Sequence, residues 1–297
     1  MNEKKAIILA LFAVLLWSSV ATAFKLTLEY FSPVIMLFYS IIFSIFALFC
    51  VIFLENKIHL FYSYSFKIYL NMFILGLINP LFYYLVLFKA YSLLPAQIAQ
   101  PINYTWALTL AYLSIFILKQ KLSIYDILSG IVCYFGVLII SSGGKFGGFE
   151  DVSLEGVSLA LFSTLLWAVY WVYSTKLDVD PVIGLFMNFI SGLIGISVLI
   201  YLEGYSLEFD IKGILGSAYI GFFEMGLTFV LWLKALKLTN NSSKVANLIF
   251  LSPFISLVFI HYLLGEEILL TTFIGLSFVV AGLLLQQKKP KLIKNGV

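Results

Sequence analysis

Apolar runs of about twenty residues follow one another through this chain with almost no polar interruption. Each is long enough to cross a hydrocarbon core of about 30 Å as a helix. Ten such spans are predicted, over residues 5–24, 33–54, 67–89, 95–118, 124–141, 154–174, 181–202, 212–236, 243–264 and 267–287. With 62% hydrophobic and 11% charged residues and a mean hydropathy of +1.05, the chain carries more apolar surface than one water-surrounded core can hide. A membrane barrel would instead need short segments alternating between two faces, and these runs are continuous. The expected fold class is therefore an all-α integral membrane protein with ten transmembrane helices.

Net charge is +3 and every cation is lysine, so position is more informative than total. With the N-terminus placed in the cytoplasm, 14 of the 18 lysines fall on that side; Lys25, Lys89, Lys145 and Lys212 fall opposite. This bias puts both termini inside and makes the bilayer, not nucleic acid, the expected partner. Lys4, Lys5, the first apolar run and Ala21-Thr22-Ala23 together look like a secretory signal, but the same run recurs deep in the chain, which favours a first membrane helix. Cys50 and Cys133 lie in separate spans and are read as inert buried thiols.

The recurrence is close. Leu9-Ala10-Leu11-Phe12-Ala13-Val14-Leu15-Leu16-Trp17 returns as Leu159-Ala160-Leu161-Phe162-Ser163-Thr164-Leu165-Leu166-Trp167, with seven of nine positions identical. Other landmarks keep the same spacing: Gly76 to Lys89-Ala90 matches Gly221 to Lys234-Ala235, Ser129 to Gly136 matches Gly275 to Gly282, and Pro33-Val34-Ile35 returns as Pro181-Val182-Ile183. Two five-helix repeats are expected, 1–142 and 154–288, joined by a Gly-rich linker at 143–153 and followed by a basic tail at 289–297. An odd number of spans per copy makes the second enter the membrane from the opposite side, so the repeats are expected to be inverted.

These landmarks resemble the drug/metabolite transporter superfamily in its ten-helix EamA-type branch. The resemblance rests on Leu-Leu-Trp near the end of the first span of each half, Lys-Ala ending the third, Pro101 and Pro253 in the fourth, and Gly265-Glu266 before the last. The first half departs from it, with Lys119-Gln120-Lys121 where Gly-Glu is expected. The resemblance implies a carrier of small molecules.

Glu224 is the clearest exception to the apolar rule. A carboxylate at mid-span costs about 2.5–3.5 kcal/mol on insertion scales, so something must offset it. Regular helical spacing puts Ser217, Gly221, Glu224 and Thr228 on one face, which would look into a cavity or toward another helix. The carboxylate would then bind a cationic group or take up a proton; the structural alternative is a protonated acid hydrogen-bonded within the bundle. Asn79 holds the matching place in the first half, and Pro80 beside it frees a backbone carbonyl and bends the helix. Tyr83 and Tyr84 follow one turn later.

Trp17 and Trp167 occupy equivalent points, and Tyr170 and Trp171 continue the second face. Rings facing a carboxylate suit an organic cation or an aromatic substrate, although rings at 18% of the chain more often pack helices or form interface belts. Asn103 and Tyr104, beyond Pro101, and Ser18, Thr22 and Lys25 on the first helix are further wall candidates. Lys25, Lys89 and Lys234 near helix ends are read as snorkelling to the headgroups. Asn247 is read as bonding across helices, and His261 as a packing histidine. The expected substrate-binding set is Trp17, Asn79, Tyr83, Asn103, Trp167, Tyr170, Glu224 and Thr228.

No nucleophile elbow, His-Glu-x-x-His helix or phosphate-binding glycine loop is present, so neither catalysis nor a metal or other cofactor is expected. The expected function is secondary, non-ATP transport of a small polar metabolite, such as an amino acid or organic cation, across the cell membrane by alternating access, with protons as a candidate coupling ion. The oligomeric state is left open. A membrane-embedded enzyme using Glu224 as a general base and a structural membrane subunit are the alternatives.

Overall fold

The computed structural model describes residues 3–117, 123–142, 152–239, 245 and 247–286. It is built of α1 (Glu3–Leu28), α2 (Pro33–Leu54), α3 (Phe66–Gly76), α4 (Tyr83–Leu93), α5 (Ala96–Asn103), α6 (Trp106–Ile117), α7 (Ile124–Ser141), α8 (Leu154–Ser174), α9 (Pro181–Glu203), α10 (Ile211–Tyr219), α11 (Leu227–Leu238), α12 (Ser252–Phe259) and α13 (Leu270–Gln286). Single π-turns at Leu77–Phe82 and Ile220–Glu224 join α3 to α4 and lead from α10 toward α11. A 3-10 turn, Asn247–Leu251, leads into α12, and a third π-turn, Ile260–Leu264, follows it. Most of the 143–153 linker and the whole 289–297 tail lie outside the described residues, as do Lys119-Gln120-Lys121.

Eight helices among the described residues are long and apolar enough to cross a membrane, including the bent Phe66–Leu93, Ile211–Leu238 and Asn247–Leu264. The run predicted at 95–118 is divided between α5 and α6, and the last run forms the 17-residue α13. Helix starts follow local chemistry. Ser32 and Asp180 each cap a helix that opens on proline, the Asp180 carboxylate accepting from Val182 N at 3.0 Å and Ile183 N at 3.3 Å. Ser123 and Asp126 form a reciprocal capping box on α7.

The exterior is apolar: Phe46, Phe53, Ile131, Leu138 and Phe273 are each more than half exposed. Small polar side chains fill the helix contacts instead, among them Ser18, Ser40, Ser129, Ser163, Ser252 and Thr272, all fully buried. This arrangement belongs to a bilayer, where close approach and interhelical hydrogen bonds replace the hydrophobic drive. The molecule is a multi-pass membrane protein.

The contacts recur in matched form. α3 packs on α9 as α10 packs on α2; α4 packs on α8 as α11 packs on α1; α6 lies on α8 as α12 lies on α1. α2 meets α9, and α7 lies along α13. The repeated glycines make two of these approaches possible. A Cβ on Gly76 would sit 2.6 Å from Ser191 Cβ of α9, and one on Gly221 would sit 2.7 Å from Phe43 Cβ of α2.

Ionic contacts gather where α2 and α11 end and α9 begins. Lys57 Nζ lies 2.8 Å from both Glu55 and Asp180, and Lys234 Nζ lies 2.8 Å from Glu55. Hydrogen bonds from Lys234 and Lys57 hold the Glu55 carboxyl below its ordinary 4.5. Burial works against the Lys57 charge, yet its bonds to Asp180 and Glu55 raise it above the ordinary 10.5. The depressed carboxyl stabilises the fold above about 4.5 and is lost as pH falls through its folded value; the raised amine stabilises below about 10.5 and is lost as pH rises through its folded value. Glu55→Gln is therefore expected to lower thermal stability at neutral pH, by no more than about 1 kcal/mol for so exposed a pair. The difference from the parent protein should vanish in acid, as melting curves across pH would reveal.

Candidate functional site

A cavity of about 320 Å³ lies among α1, α4, α5, α6, α8 and α11 and the turn before α12. Five of the expected residues line it: Trp17, Tyr83, Asn103, Trp167 and Glu224. So do Tyr104 and Trp171, together with Phe24, Tyr91, Gln100, Trp106, Phe229, Trp232, Ile249 and Phe250, which the sequence reading did not single out. The lining is buried where α1 finishes, at Phe24, Tyr91 and Gln100, and partly exposed at Trp171, Trp232 and Ile249.

Glu224 closes the π-turn between α10 and α11, so the break in the ladder sets it at the cavity edge. The Tyr84 hydroxyl donates to its Oε1 at 3.1 Å. Tyr84 also packs on Tyr83 with ring centroids 4.7 Å apart, and Tyr83 packs on Trp167 at 4.6 Å. Asn103 Nδ2 donates to Ser163 Oγ at 2.9 Å, which fixes α5 against α8.

The rings form one connected lining. Trp17 touches Phe229 at 5.4 Å and Trp232 at 5.5 Å; Phe229 reaches Trp167 at 6.1 Å, and Trp167 continues to Trp106 at 6.3 Å and Trp171 at 6.1 Å. Most contacts are edge-on or tilted, as ring quadrupoles prefer. One signal in the sequence pointed to the additional tryptophans: all five fall in the first, fourth, sixth and eighth apolar runs.

Three expected residues stand outside the lining. Thr228 follows the turn and is fully buried, its hydroxyl donating to the Phe223 carbonyl. Regular periodicity had put it on the Glu224 face; the π-turn and the non-helical Gly226 carry it off that face. Tyr170 is pinned to Asn188: with the Asn188 amide oriented to satisfy all its neighbours, the Tyr170 hydroxyl donates to its oxygen at 3.0 Å and its nitrogen donates to Met72 O at 2.8 Å. Asn79 is 2% exposed and sits inside the Leu77–Phe82 turn with extended dihedrals, φ −139° and ψ 115°, while Pro80 packs on α9 at Gly192. That side chain marks the bend in the first half at the place where Glu224 marks it in the second.

Several of the remaining candidates have structural partners, whereas the buried Thr22 hydroxyl has none among the described residues. Ser18 bonds Ser252 at 3.2 Å, and Thr22 is buried in α1. Lys25 does not reach outward, because its Nζ donates to the carbonyls of Tyr91 at 3.0 Å and Leu94 at 3.1 Å, closing the end of α4. Glu266 caps α5 from the far side of the chain, accepting from Ala96 N at 2.8 Å and Gln97 N at 3.2 Å, where α5 has no side-chain cap of its own. Gln97 completes the tie, donating to Glu267 O at 2.9 Å and accepting from Leu269 N at 3.0 Å. Asn247 opens the 3-10 turn, and His261 Nδ1 pairs with Glu266 O at 3.0 Å. Among the described residues no group of three His, Cys, Asp or Glu is placed to hold a metal ion.

The model of the EamA-like transporter family matches residues 4–142 and again residues 154–286. The chain belongs to the EamA-like transporter family. An uncharacterized transporter of Clostridium kluyveri is 31% identical to this EamA-like protein over 199 residues, which cover 64% of this chain and 61% of the relative. The uncharacterized transporter YvbV of Bacillus subtilis is 28% identical over 297 residues, covering 98% of this chain and 93% of the relative. A crystal structure of another protein shares the fold with a TM-score of 0.68 at 18% identity, covering 96% of both chains. The matched family and these relatives make this EamA-like protein a membrane transporter by kinship.

Proposed function

We propose that this protein is a secondary transporter that carries a small polar metabolite, an amino acid or organic cation, across the plasma membrane by alternating access. The observation that carries the reading is a central cavity lined by sequence-equivalent segments of both halves, with one carboxylate at its edge. In this reading the chain is ten spans in two inverted five-helix repeats. The matched contacts support it: α4 on α8 answers α11 on α1, and α3 on α9 answers α10 on α2. With both termini cytoplasmic, as the lysine bias favours, the buried end of the cavity lies outside and the partly exposed end inside, so the conformation faces inward. Glu224 binds the substrate's positive group or exchanges it for a proton, Trp17 and Trp167 hold its apolar part, and Tyr83 and Asn103 orient it. Asn79, Tyr170 and Thr228 support this wall from behind.

Purified protein in proteoliposomes, offered a panel of amino acids and organic cations with and without an imposed proton gradient, should move at least one of them above protein-free vesicles. Flux that follows the proton gradient would assign the coupling ion. Absence of flux across the panel, with the protein folded and correctly inserted, would count against a carrier.

A further inference from the structure

This inference rests on the cavity being the transport site and names the class of molecule that fits it. All five tryptophans of the chain, Trp17, Trp106, Trp167, Trp171 and Trp232, line the same cavity. Tryptophan in membrane proteins ordinarily collects at the two water interfaces, so gathering every indole around one cavity is a departure from that pattern. The indole face is the most negative of the side-chain rings and the best partner for a desolvated cation. Glu224 is the only carboxylate among the described lining residues, and no lysine or histidine accompanies it there. The ammonium of Lys25, one residue from the lining Phe24, is held by two backbone carbonyls.

A carboxylate at the edge of a ring-lined cavity attracts positive charge and opposes a second negative group. The geometry points to an organic monocation bearing an aromatic or bulky alkyl group as the substrate, its charged nitrogen held between Glu224 and the indole faces. Free carboxylic acids are excluded, and zwitterionic amino acids are poor ligands because their own carboxylate must enter the same field. A cavity of about 320 Å³ suits a molecule at the small end of the drug-sized range.

The tryptophan placement also supplies the assay. No indole lies elsewhere to contribute background, so a ligand entering the cavity should alter most of the protein's tryptophan emission. Full-length protein in lipid nanodiscs is titrated with phenethylamine, benzyltrimethylammonium, 2-phenylethanol, phenylalanine and 3-phenylpropionate, which share a phenyl group and differ in charge. The two cations are expected to bind at least about tenfold more tightly than phenylalanine, with 3-phenylpropionate silent. In Glu224→Gln the advantage of phenethylamine over 2-phenylethanol should shrink, leaving the part that the indoles supply. Equal binding of phenylalanine or 3-phenylpropionate, or unchanged emission with both cations, would overturn the assignment; the wild-type series decides this even if the variant fails to fold. Flux of the same compounds separates the two readings. Cation binding in the expected order without transport defeats the carrier and leaves the ligand class standing, whereas amino-acid flux without cation binding does the reverse.

Discussion

Glu224→Gln is expected to reduce substrate flux by about tenfold to a hundredfold while leaving the protein folded. The magnitude follows from removing a charge-assisted contact worth about 1.5–3 kcal/mol from a site shielded from water. The fold should tolerate the change because glutamine keeps the shape, and its carbonyl oxygen can still accept from the Tyr84 hydroxyl, now 3.1 Å from the carboxylate. Stability should hold or rise, since a carboxylate at mid-span carries an insertion cost that an amide largely avoids. Function and stability are thus expected to move independently. Initial flux rates in proteoliposomes, set beside melting curves of the same preparations, measure both. Unchanged flux would remove Glu224 from the mechanism, and lost flux with a collapsed melting curve would make the residue structural.

Gly275→Val should be the most damaging single change away from the cavity. α7 and α13 meet through backbone: a Cβ on Gly275 would lie 2.6 Å from Gly136 O and 2.5 Å from Ile140 Cγ1, while one on Gly136 would lie 2.5 Å from Gly275 O. Further along, a Cβ on Gly282 would press on Cys133 Sγ at 2.5 Å, and that sulfur already donates to Val279 O at 3.2 Å. Because backbone lies on both sides, no rotamer change can make room, and the two helices must separate. The expected loss is at the upper end of the about 1–3 kcal/mol typical of overpacking, seen as a lower melting temperature and a poor yield of monodisperse protein. Gly184→Ala is the control, because its Cβ would meet only Val179 Cγ1, at 3.5 Å. Similar damage from both substitutions would show that close approach is not what the α7 and α13 glycines provide.

Membrane helices and their limits were readable because apolar length and capping residues act locally. The runs predicted at 33–54, 124–141 and 154–174 coincide with α2, α7 and α8, each beginning directly after a serine cap. The site was harder to read, for two physical reasons. A π-turn adds a residue to one helical turn, and a sequence gives no sign of that when it reads as regular helix; Glu224 and Thr228 were therefore assigned one face although the break divides them. Convergence in space is also invisible along a single run. Trp106 and Trp232 look like interface or packing residues until α6 and α11 are brought around one space. Trp17, Tyr83, Asn103, Trp167 and Glu224, which line the cavity, were singled out because each was a local exception, either a repeat landmark or a polar group in apolar surroundings.

A straight helix is a push-rod, and a load applied at one end arrives at the other. The turns at Leu77–Phe82 and Ile220–Glu224 cut two such rods in half. The severed pieces keep different company. α3 and α10, bolted to α9 and α2, present bulky side chains such as Phe66, Leu70, Ile74 and Leu215 to the surroundings, whereas α4 and α11 are set on α8 and α1 and show no large exposed hydrophobic among the described residues. In the alternating-access cycle proposed above, one set of pieces would be chassis and the other moving part. The consequence expected of the two breaks is that thickening or thinning of the bilayer acts first on the outer pieces and less on the carboxylate and the rings.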